Sequence, residues 1–128
     1  MIRVSLQGLR QLCETNLVEL KFIRRLKLAD KFPTRRMLCT RDIRLLNSDL
    51  GKKTFNFTLP QNSPAYDTVS KNLLTVFDII YQDWRNIPVE SVAVLVAVPT
   101  NPQKQFWEYF DKRLRNMTKT QKKDFINK

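Results

Sequence analysis

A chain of 128 residues that is 42% hydrophobic and 10% aromatic has the material for one core, which would bury about two-thirds of its unfolded surface. Twenty-three Lys and Arg against twelve Asp and Glu give a net charge of +11 with no histidine, which excludes His-based triads, imidazole acid–base catalysis and His metal sites. Two glycines and two cysteines are too few for a glycine-rich phosphate loop, a disulfide scaffold or a four-ligand zinc site.

In chain order, Ser5 to Thr15 reads as a helix, with Leu6, Leu9, Leu12 and Cys13 on one face and Ser5 able to cap the first turn. From Leu17 the period becomes two. Val18, Leu20 and Phe22 alternate with Glu19, Lys21 and Ile23, which predicts a strand with one mostly polar face. After a reversal near Ala29 to Pro33, a second strand, Arg35 to Thr40, places Met37 and Cys39 on one side.

Residues 41–72 read as an insertion: a short helical turn around Leu45 and Leu46, a brief alternating strand from Thr54 to Thr58, and a loop from Pro60 to Pro64. Leu73 to Ile80 and Trp84 to Ile87 form a second predicted hairpin about a turn at Tyr81 to Asp83. Pro88-Val89-Glu90 suits one tight helical turn before an apolar strand, Ser91 to Val98. The last thirty residues read as helical. Asn101 is the expected N-cap with Pro102 at the first helical position, and Thr118 with Gln121 forms a capping box opening a final helix, Lys119 to Ile126.

The expected architecture is a single α+β domain over 1–128: an N-terminal helix within 1–16, a five-stranded β-barrel of the Sm type over 17–98 with the insertion at 41–72, and C-terminal helices over 99–128. Cys13 and Cys39 are expected as free thiols. No stretch approaches the ~20 apolar residues of a membrane-spanning helix, and Met1 to Ser5 lacks the apolar run of a signal peptide. A cytoplasmic protein, without cofactor, metal or catalytic residue, is the expectation.

Charge then locates the candidate binding residues. Lys21, Arg24, Arg25, Lys27, Lys31, Arg35 and Arg36 place seven cations on the first hairpin, opposed locally by Glu19 and Asp30, a ribbon suited to phosphates or to an acidic protein surface. Phe106, Trp107, Tyr109 and Phe110 crowd one helix, either as core or as a protein interface. Asp78 and Asp83 near the second hairpin turn read as turn residues rather than as a cation site or an acid–base pair.

The run Arg35-Arg36-Met37-Leu38-Cys39-Thr40, with Phe77-Asp78-Ile79 and Trp84-Arg85-Asn86-Ile87-Pro88 ahead of Ser91-Val92, resembles a phage-encoded family of Sm-like small β-barrels. Within it the chain looks most like the RNA-polymerase-binding proteins of T-even-type phages, through Arg44 to Ser48, Pro64-Ala65-Tyr66, Phe106 to Phe110, and Gln121-Lys122 with Phe125. The resemblance implies a non-catalytic protein in the host bacterial cytoplasm that binds host RNA polymerase and modulates transcription, with no contact residue carried over. It also implies that Met37, Cys39 and Trp84 face the barrel interior and that Arg85 fixes a hairpin. Direct, weakly selective RNA or DNA binding through the basic hairpin is the alternative.

Overall fold

In the computed structural model, which describes residues 5–25, 33–55 and 71–127, the chain is an α+β protein built on one five-stranded antiparallel sheet. The elements run α1 (Leu6–Thr15), β1 (Asn16–Ile23), β2 (Thr34–Thr40), α2 (Ile43–Leu46), α3 (Asp49–Phe55), β3 (Leu73–Asp78) and β4 (Asp83–Pro88). A 3₁₀ turn (Val89–Ser91), β5 (Ala93–Pro99), α4 (Gln103–Arg113) and α5 (Lys119–Asn127) follow. The strand order is β4-β3-β2-β1-β5. Among the described residues β4 and β5 are the two free edges, so the sheet is open and the expected closure into a barrel is not seen.

Local chemistry explains most of these elements. Ser5 caps α1 by accepting the Gly8 N–H at 3.0 Å. In α5 the capping box is reciprocal: the Thr118 N–H donates to Gln121 Oε1 at 2.9 Å, and the Gln121 N–H donates to Thr118 Oγ1 at 3.1 Å. The β3–β4 turn is held by Asp78, whose carboxylate accepts the N–H groups of Ile80 and Tyr81, while Gln82 takes φ 57°. Thr40 ties the ends of α1 and β2 together, its one hydroxyl proton shared between the carbonyls of Cys13 and Asn16.

Strand alternation separates two cores, one on each face of the sheet. Val18, Leu20 and Phe22 of β1 join Met37 and Cys39 of β2, Leu74 and Val76 of β3, and Leu9 and Cys13 of α1. Both cysteines are free and buried there. On the opposite face Leu17, Leu38 and Phe77 meet Leu45, Leu46, Phe55, Phe106, Trp107 and Phe110 from the helices. Trp84 packs edge-on against Phe77, 5.5 Å between ring centroids, so it lies on the face opposite Met37 and Cys39 rather than beside them. Arg85 pairs with Asp83 in the exposed part of β4.

Three local expectations differ from the structure. Thr54 and Phe55 end helix α3 instead of starting a strand; the remainder of that expected strand, and the loop at 60–64, lie outside the described residues. The helix wins because Ser48 Oγ accepts the Gly51 N–H, the Ser48 carbonyl accepts the Lys52 N–H, and Phe55 is then delivered into the aromatic core. Gly51 is required: a Cβ there would sit 2.3 Å from the Leu45 carbonyl oxygen and 2.6 Å from that of Leu46. The start of α4 also differs. Pro102, not Asn101, occupies the cap position, without a side-chain cap bond, and the Asn101–Pro102 peptide is cis.

The last strand begins later than expected, at Ala93, because Val89–Ser91 forms the 3₁₀ turn. Its register against β1 passes from Glu19↔Val96 to Leu20↔Val94, which leaves Leu95 as the extra residue of a β-bulge. Leu95 and Val96 are consequently both exposed on the edge. Among the described residues no helix is long and apolar enough to cross a membrane.

Candidate partner-binding surface

Each arginine of the first hairpin that the structure describes is held by the protein itself. Arg35 donates to Asp78 Oδ2 at 2.8 Å, with Asp78 buried and Arg35 largely so. Arg36 donates to Glu19 Oε1, a diagonal neighbour on the same sheet face, and its guanidinium carbon lies 4.4 Å from the Phe125 ring centroid. Arg25 grips Glu90 at 2.8 and 2.9 Å, and Arg24 donates to the Thr34 carbonyl across the hairpin. Lys21 is half-buried opposite Arg36. Lys27 and Lys31 lie outside the described residues.

The electrostatics follow from burial. Desolvation pushes the Asp78 carboxyl above the usual aspartate range, a rise opposed by the Tyr81 N–H, by Arg35 and by the Ile80 N–H. Desolvation also lowers Arg35, with Asp78 acting against it. Both shifts mark a pair whose charges are costly to bury and whose value lies in being together. At the surface, the hydrogen bond from Arg25 holds Glu90 below the usual glutamate range. The first hairpin therefore spends much of its positive charge on internal carboxylates, an arrangement that local charge density does not reveal.

The aromatic helix resolves toward packing. Phe106, Trp107 and Phe110 are buried around Phe55, with Trp107 stacked on Phe55 at 5.6 Å and Phe110 edge-on to it at 5.2 Å. These three are core residues and offer no free interface. Tyr109 is half-buried at the edge of the same cluster, with the Arg113 guanidinium 5.5 Å from its ring.

Cationic groups outside ion pairs gather elsewhere. Residues 99–128 carry eight cations and three carboxylates, and the described ion pair there joins Asp111 of α4 to Arg115 in the turn that follows it. Lys112, Arg113, Lys119 and Lys123 are exposed there, and Lys104 stands near the start of α4. The basic excess of residues 99–128 is visible in the sequence, beside the aromatic stripe of Phe106 to Phe110. A groove of about 410 Å³ lies between these helices and β2, lined in part by Arg36, Lys112, Arg113, Met117 and Phe125. Among the described residues no cluster of three or more Cys, Asp or Glu is placed to hold a metal ion. The Asp78 and Asp83 carboxylates accept backbone N–H groups and pair with Arg35 and Arg85, as turn residues do.

Comparison with protein-family models, with curated proteins and with solved structures finds no match.

Proposed function

We propose that this chain is a non-catalytic phage protein that binds host bacterial RNA polymerase in the host cytoplasm and modulates transcription, docking through the basic surface of α4 and α5. The observation that carries the reading is the distribution of charge: the hairpin arginines are engaged with Glu19, Asp78 and Glu90, whereas the lysines of α4 and α5 project without a described ion pair. A ribbon whose guanidinium groups already hold carboxylates is poorly suited to tracking a run of successive phosphates, and Phe106, Trp107 and Phe110 of α4, which could stack on bases, are buried. An acidic protein surface suits exposed helical lysines better. The exposed aliphatic pair Leu95 and Val96 on the sheet edge also favours a protein partner.

The resemblance of 35–40, 77–79 and 84–88 to Sm-like phage proteins supports the choice of polymerase. The element order, an N-terminal helix, five antiparallel strands and one 3₁₀ turn between β4 and β5, is the order expected of such a protein and supports the reading.

Affinity purification of the tagged chain from expressing bacteria tests the reading. Polymerase subunits should be retained after nuclease treatment, and their loss on nuclease treatment would instead support direct RNA or DNA binding. The salt dependence supplies a second readout, since phosphate contacts would make retention fall steeply between 50 and 200 mM salt, by roughly 10³-fold or more for six or more contacts.

A further inference from the structure

The Arg36 side chain is fixed before any partner arrives. Glu19 accepts one of its N–H groups and the Phe125 ring covers its face; its Nε, without an acceptor among the described residues, is buried from solvent, so a further acceptor would meet a terminal N–H. A guanidinium carries five N–H donors, so this one retains capacity for a further oxygen acceptor without the entropy cost of ordering a free side chain. It lines the 410 Å³ groove, within the size range of small-ligand and peptide side-chain pockets.

The other lining groups define the chemistry. Lys112 and Arg113 are exposed cations on α4, while half-buried Met117 and Phe125 supply apolar surface beside them. Gln121 uses its side-chain oxygen on the Thr118 N–H, which leaves its amide NH₂ to donate. Asp111 and Asp124 also line the groove; Asp111 already holds Arg115. Two carboxylates among the cations repel a chain of successive phosphates, but one of them can accept backbone N–H groups of a peptide. The combination of fixed guanidinium, exposed cations, apolar surface and an acceptor matches a peptide that carries an acidic and an apolar side chain side by side.

We infer that the groove between α4, α5 and β2 is a binding site for a short acidic segment of a partner protein, its carboxylate received by Arg36, Lys112 and Arg113 and its apolar side chain by Met117 and Phe125. This rests on the polymerase reading for its partner and names where that partner's acidic segment docks.

The test uses the full chain and fluorescence anisotropy with a fluorescein-labelled acetyl-Asp-Glu-Leu-Asp-Glu-Leu amide peptide. Two double variants carry the same change in net charge: K112E/R113E in the groove and K52E/K53E on α3. The wild type and K52E/K53E should bind within twofold of each other, K112E/R113E at least tenfold more weakly, and the Asn/Gln form of the peptide at least tenfold more weakly to the wild type. Equal losses in the two variants, absence of peptide binding by the wild type, or tighter binding of a labelled six-nucleotide single-stranded DNA that the peptide cannot displace would overturn the site. Capture of polymerase by wild type and K112E/R113E alike would also overturn it while leaving the polymerase reading intact. Peptide binding with the expected variant pattern but no polymerase captured by the wild type would uphold the site and remove the polymerase.

Discussion

Replacing Arg35 with methionine should lower unfolding stability at pH 7 by about 3–5 kcal/mol, the typical cost of leaving one member of a buried ion pair without the other. The pair joins β2 to the β3–β4 turn, and the Asp78 side chain is only 2% exposed. Asp78 has two duties, since it also accepts the Ile80 and Tyr81 N–H groups. In Arg35→Met with Asp78→Asn the amide oxygen can keep those two bonds while the charge disappears, so the double variant should recover most of the loss, and a double-mutant cycle measures the coupling. The deficit should also depend on pH. Desolvation already raises the Asp78 carboxyl, and removal of Arg35 raises it further. A carboxyl whose folded value lies above its unfolded value of about 3.9 favours the fold most at low pH and loses that contribution as pH rises through the folded value. The gap between Arg35→Met and wild type should therefore narrow as pH falls from 7 toward 4. Urea unfolding at several pH values checks both statements, and a deficit below about 1 kcal/mol at pH 7 would contradict the first.

Trp107→Ala should cost about 3–5 kcal/mol, because it opens a cavity in the aromatic cluster that attaches α3 and α4 to the sheet. Trp107 touches Phe55, Phe106 and Phe110, with ring centroids 4.9 to 5.7 Å apart. Trp107→Phe keeps much of that packing and should lose clearly less. At a temperature where both the wild type and Trp107→Phe are folded, polymerase capture should be the same for both, as befits a core residue. Reduced capture by folded Trp107→Phe would return this side chain to the interface.

These two cases also show which parts of the molecule are legible in its sequence. The Ser5 cap, the alternation of Val18, Leu20 and Phe22, the Thr118–Gln121 box and the tight turn after Pro88 are local, and each is realised where its chemistry requires. The alternation from Thr54 to Thr58 misleads because a two-residue period over so short a stretch carries little information, and the burial of Phe55 against residues fifty positions away decides the conformation. The candidate site was the harder part. Glu19–Arg36, Arg35–Asp78 and Arg25–Glu90 join residues 17, 43 and 65 positions apart, so the neutralisation of the hairpin arginines becomes visible only once the strands are paired. The groove likewise needs β2 and α5 brought together, which Phe125 and Arg36 do across 89 positions of sequence.

Hydrogen–deuterium exchange of the chain, recorded alone and with purified bacterial RNA polymerase in nuclease-treated buffer, tests the central claim most directly. Slower exchange in 103–127 on adding polymerase, with 16–25 unchanged, is the result the account predicts. No slowing anywhere, or slowing confined to the hairpin strands, would contradict it.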